Sequence, residues 1–143
     1  MNIAEKLRTA QNPLFTFEVL PPLKGKGIEA IYAAIDPLLA FNPSYINITY
    51  HAADVQYKTK DDGSIEKRVV RKRPGTVATA AAIHYKYGIE VVPHLICSGL
   101  NQEEIENILI DLDFLGIHNL FALRGDAQKG SRVFIPKENG HAH

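Results

Sequence analysis

An excess of charge of either sign is missing from this chain. Its 143 residues carry 16 lysines and arginines against 16 aspartates and glutamates, so no net field draws in DNA, RNA or an anionic membrane. Nucleic acid is therefore not an expected partner. Cysteine is nearly absent too: Cys97 stands alone, which excludes an internal disulfide and suits a reducing compartment. No apolar run approaches the roughly 20 residues of a membrane helix, and the opening MNIAEKLRTA lacks the apolar centre of a secretion signal. A soluble, cytoplasmic protein is expected. There is no internal repeat, no Ser-His-Asp or Cys-His nucleophile pattern, and the GKG at Gly25–Gly27 lacks the spacing of a nucleotide loop.

What is present is enough apolar material, 45% of the chain, for one domain with a core. Asn2–Ala10 reads as a short amphipathic helix. Leu14–Leu20 reads as a strand that Pro21-Pro22 stops. Ile28, Ile31, Ile35, Leu38 and Leu39 recur at helical spacing, with Pro37 set to kink or shorten that helix. SYINITY (Ser44–Tyr50) and IEVVPHLIC (Ile89–Cys97) are β-branched strands. The alanine-rich Val77–Tyr87 between them is a helix closed by Gly88. Asn101 with Glu104 opens a further helix as a capping box, carrying Ile105, Ile108, Leu109, Leu112 and Leu115 as its stripe, and Gly116 stops it. NLFALRGD (Asn119–Asp126) is the fourth strand.

Strands alternating with helical crossovers imply an α/β fold with a parallel sheet. A doubly wound sheet and a (βα)8 barrel both satisfy that order. A complete barrel needs about 250 residues, so this chain could hold about half of one. Asp54–Arg73 interrupts the pattern with seven basic and four acidic residues and a turn signal at Asp62-Gly63. A protruding hairpin is one reading; a plain solvated loop is preferred over a phosphate-binding surface, because the charges are mixed.

Alternation along a strand puts Phe15, Phe17 and Val19 on one face of the first strand and Thr16, Glu18 and Leu20 on the other. On the second strand Ile46 and Ile48 oppose Tyr45, Asn47 and Thr49. In a parallel barrel the apolar faces meet the helices, and polar residues near the strands' C-terminal ends form the site. Glu18, Thr49, His94, Arg124 and Asp126 all fall there. Singly, each has a bland reading: a salt-bridged or exposed Glu, an ordinary strand Thr, a structural His, a solvated RGD turn. The phenylalanines flanking Glu18 suggest burial, which would raise its pKa and allow proton donation near neutrality. His94-x-x-Cys97 offers only two ligand types at one locus, too few to expect zinc, and no metal site is expected.

FTFEVLPP, INITYHAAD, GIEVVPHLIC and GIHNLFALRGD, in that order and spacing, resemble the successive strand ends of the methylenetetrahydrofolate reductase family over about Phe15 to Asp126. The resemblance implies a (βα)8 TIM-type barrel, of which residues 1–143 are expected to form a single partial domain holding about strands 1–4, the rest truncated. It implies FAD at the strand ends, NADH or NADPH as hydride donor, and conversion of 5,10-methylenetetrahydrofolate to 5-methyltetrahydrofolate. Glu18 matches the acid that helps open the folate's five-membered ring. Thr49 and His94 match positions lining the flavin, and Ala122, Leu123, Arg124, Gly125 and Asp126 match the loop along it. Asp126 resembles the acid that contacts the pterin and disfavours the anionic reduced flavin; Arg124 would suit the cofactor's phosphates. Two features depart from short bacterial relatives: Tyr50-His51 replaces tyrosine-glycine, and the charged stretch is longer. The isolated chain is expected to be inactive, to hold FAD weakly or not at all, and to form a homo-oligomer through its open sheet edges. Two other readings fit the same residues: a different flavin- or phosphate-binding barrel, or a non-catalytic half-barrel interaction module.

Overall fold

A computed structural model of the chain describes residues 2–126 and 134–141, so part of the polar stretch after Asp126 lies outside the described residues. Helix α1 (Ile3–Thr9) opens at Asn2, whose side chain accepts from the Glu5 amide. Strand β1 (Thr16–Val19) stops before Pro21-Pro22, neither of which can donate to a sheet ladder. Helix α2 (Glu29–Ile35) follows. Pro37 shortens it: the chain tightens into a 3-10 segment over Asp36–Phe41, because a proline nitrogen cannot carry the α-helical ladder forward.

Strand β2 (Tyr45–Ile48) leads into an antiparallel hairpin of β3 (Asp54–Thr59) and β4 (Ile65–Val70). The charged stretch thus forms the protruding hairpin that its turn signal suggested, with most of its residues exposed. The Asp62-Gly63 turn closes it: Ser64 donates from its amide and its hydroxyl to the Asp62 carboxylate, at 2.9 and 2.6 Å. Its base is tied to the exit of β1. Lys72 pairs with Asp54, the Lys24 amide donates to the Lys72 carbonyl at 2.7 Å, and Arg73 Nη1 donates to the Pro21 carbonyl at 2.5 Å.

Helix α3 (Thr76–Tyr87) ends as expected at Gly88, whose φ of 64° favours a residue without a Cβ. Strand β5 (Val91–Ile96), helix α4 (Gln102–Phe114) and strand β6 (Phe121–Leu123) complete the order. The capping box on α4 is present in both directions, with Asn101 Oδ1 accepting from the Glu104 amide and Glu104 Oε2 from the Asn101 amide, each at 2.8 Å. The sheet strands come out shorter than the sequence runs, as pairing ends where the loops diverge.

The main sheet has the order β1-β2-β5-β6, every pair parallel. This is the α/β arrangement of parallel (βα) units expected for part of a TIM-type barrel; among the described residues the sheet is open, with β1 and β6 as its edges. The core lies on one face. Val19, Ile46, Ile48 and Val91 from the strands pack with Ile31, Ile35, Ala80, Ile83 and Leu112 from α2, α3 and α4. Ile35, Ile46, Ile48 and Ile83 have no accessible surface, each contributing about 1.5–3 kcal/mol by leaving water. On the other face α1 sits at the N-terminal end of the strands, the Ile3 amide donating to Asn119 Oδ1 at 2.9 Å, beside a groove of about 780 Å³ lined in part by Leu7, Tyr45, Val92 and Phe121.

Candidate active site

The second face of the sheet carries the side chains that period-two alternation assigns to it. Register sets Glu18 beside Asn47 and Val19 beside Ile48, and Thr49 follows one residue later with its amide donating to the Val19 carbonyl at 3.0 Å. Its hydroxyl then reaches across to donate to Glu18 Oε1 at 2.7 Å. His94 Nδ1 lies 3.9 Å from the same oxygen. Three adjacent strand ends thus converge on one carboxylate oxygen. Among the described residues nothing else holds the carboxylate, so Oε2 is open to whatever occupies this face.

Glu18 is not buried. Its side chain is 54% exposed, against the burial expected from its phenylalanine neighbours. Phe17 packs edge-on against Phe41 with ring centroids 6.1 Å apart, on the helix side, and Phe15 is itself exposed. Neither covers the carboxylate, and among the described residues no second layer lies over the face it occupies. His94 by contrast is buried, its ring edge-to-face with Phe121 at 5.3 Å, which fixes the imidazole plane between β5 and β6.

A second group of expected residues gathers at the β6 edge, next to the strand that carries His94. Ile96, Leu123, Arg124, Gly125 and Asp126 line an open hollow of about 620 Å³, a size typical of small-molecule sites. The Arg124 carbonyl accepts from the Ser98 amide at 2.9 Å, locking the loops after β5 and β6 together. Gly125 has φ 87°, and a Cβ there would come within 2.4 Å of Ile96 Cγ2 and 2.8 Å of Ser98 Oγ. Only glycine lets the loop lie this close. The Arg124 guanidinium sits 4.9 Å from the centre of the Phe134 ring. Ala122 alternates away from Phe121 and Leu123 and does not line the hollow. The hollow thus sets an apolar wall of Ile96 and Leu123 beside the cation of Arg124 and the carboxylate of Asp126.

Several contributors were not read from the sequence. Ser98 supports the Arg124–Asp126 loop, and Phe121 orients His94. Tyr50, next to Thr49, is partly buried, and that burial raises its pKa, opposed by Arg71, with Glu104 adding to the rise. Only its adjacency to Thr49 could have signalled it. At the start of α4, Glu104 is held below the usual carboxylate range, chiefly by the ammonium of Lys137 and next by the Asn101 amide; Lys137 Nζ donates to its two oxygens at 2.7 and 2.5 Å.

A family model described as methylenetetrahydrofolate reductase matches residues 2–143. The chain belongs to the methylenetetrahydrofolate reductase family. A maize relative, "Methylenetetrahydrofolate reductase (NADH) 1", is 29% identical over 145 residues, covering 99% of this chain and 22% of the maize protein. The Arabidopsis thaliana protein of the same name is 27% identical, with the same coverage. The Escherichia coli "5,10-methylenetetrahydrofolate reductase" is 28% identical over 116 residues, covering 81% of this chain and 34% of the bacterial protein. The chain therefore spans between 22% and 34% of the length of these methylenetetrahydrofolate reductases. Family membership and the open four-stranded sheet agree with the architecture that the strand ends suggested.

Proposed function

We propose that this chain supplies the folate-side acid and the flavin-side loop of a reductase that converts 5,10-methylenetetrahydrofolate to 5-methyltetrahydrofolate at the expense of NADH or NADPH. The observation that carries the reading is the Glu18 carboxylate, engaged at Oε1 by Thr49 and approached by His94, at the strand C-termini where parallel barrels build their sites. FAD, when bound, supplies the two-electron relay between the nicotinamide and the folate. The chain's own residues do the rest on this side. With Oε1 tied to the Thr49 hydroxyl, Oε2 is the oxygen that hands a proton to the ring nitrogen as the five-membered ring opens, leaving a carbon ready to accept hydride. Arg124 holds negative charge of the cofactor, and Asp126 contacts the pterin while its carboxylate opposes build-up of negative charge on the neighbouring ring. The names of the plant relatives favour NADH as the nicotinamide.

The exposed Glu18 and the unpaired edges of β1 and β6 support a division of labour in which this segment is inactive by itself, in a cytoplasmic setting. Purified as it stands, the chain is expected to show no NADH oxidation with added FAD and to quench FAD fluorescence only weakly. A yellow, NADH-oxidising preparation would overturn this. A polypeptide that continues the barrel beyond His143 is expected to form 5-methyltetrahydrofolate, and failure to do so with bound flavin would count against the folate assignment.

A further inference from the structure

The β3–β4 hairpin lies outside the (βα) frame, inserted between β2 and α3, so no further strand or helix of a barrel would cover it. Its register places Val55 opposite Val69, Tyr57 opposite Lys67 and Thr59 opposite Ile65, all on one face. On that face Val55 is 49% exposed, Tyr57 70%, Ile65 71% and Val69 68%. The reverse face is polar and paired within itself, with Arg68 on Glu66 at 3.0 Å and Lys72 on Asp54. A lone two-stranded hairpin is marginal in water, and one that turns four large apolar side chains outward beside a lysine has the makings of an interface.

The charge distribution says what would fit it. Lys67 stands among the apolar residues of that face, whereas Lys58 and Arg68 stand on the reverse one, while α4 (QEEIENILIDLDF) has five acidic residues and no lysine or arginine. Glu103, Glu106 and Asp113 are exposed along α4, on the same stripe as Ile110 and Phe114, 58% and 88% exposed. One surface is apolar around the cation of Lys67, the other apolar and acidic. We propose that the hairpin face docks on the outer stripe of α4 in a second copy of this chain, and that a two-fold pair makes the contact twice. This does not depend on the chemistry assigned to Glu18.

Sedimentation velocity on the chain itself tests it. A dimer at low ionic strength is expected, weakening at least tenfold between about 50 mM and 500 mM salt as screening sets in. Lys67→Glu and Glu106→Lys should each weaken self-association at least tenfold, and an equimolar mixture of the two should restore it, because each contact then joins opposite charges again. Val69→Ser should weaken it without any salt dependence of its own. A chain that stays monomeric at low salt would overturn the proposal. So would a dimer indifferent to all three substitutions, which would move the contact to the open edges of β1 and β6, or a mixture that fails to re-associate.

Discussion

At the residue scale the side of the sheet that Glu18 occupies was legible from the sequence, and its environment was not. Period-two alternation with Phe17 and Val19 on the core side leaves Glu18 no other face, and the structure keeps that assignment. Exposure depends on what lies over the face, and no local pattern encodes it. The same limit explains Ser98, whose amide meets Arg124 only because β5 and β6 lie side by side. Gly125 was legible as part of a loop, whereas its necessity comes from Ile96 and Ser98 pressing against it. Gly125→Ala is therefore expected to destabilise the chain by about 1–3 kcal/mol, from the strained φ and the overlap together. Urea denaturation measures this, and an unchanged midpoint would show that the loop yields freely.

At the element scale the helices were read well because their ends are marked by local chemistry. Asn101 with Glu104 and the glycine at position 88 need no tertiary information to be recognised. Asn101→Ala removes the cap from α4 and should cost about 1 kcal/mol, visible as a lower melting temperature; no change would mean that the helix start is held by its packing alone. The same turn has a pH dependence with a definite sign. Glu104 titrates lower folded than unfolded because of Lys137 and the Asn101 amide, so its contribution is complete above the ordinary carboxylate pKa and is lost as pH falls through the lower folded value. Amide exchange at Asn101, corrected for intrinsic rates, should therefore lose protection on acidification below about pH 4.5, and Lys137→Ala should move that loss to higher pH. Protection that is flat with pH in both proteins would contradict the assignment. The hairpin was harder to read: Asp62-Gly63 signalled a turn, but flanking residues rich in charge disguised two strands whose alternation becomes visible only once Val55 is set opposite Val69.

At the scale of the whole molecule, four parallel strands with helices on one face make half of a recognisable plan. The βα alternation in the sequence was enough to reach a parallel sheet, with a doubly wound sheet and a barrel both open, and the order of the four strand ends to reach the family. The expected site residues accordingly run across the open sheet, from Glu18 on the β1 edge through Thr49 and His94 to the Arg124–Asp126 loop after β6. Under the proposed function, Glu18 at the first edge serves the folate. This can be tested by splitting the reaction in a polypeptide that continues the barrel beyond His143. In stopped-flow experiments Glu18→Gln should leave flavin reduction by NADH within about threefold of the unsubstituted protein. Reoxidation of the reduced flavin by 5,10-methylenetetrahydrofolate should slow by about 10²–10⁴-fold, the usual contribution of a general acid. Equal effects on both half-reactions, or none on the second, would contradict the assignment of Glu18 as the acid that serves the folate.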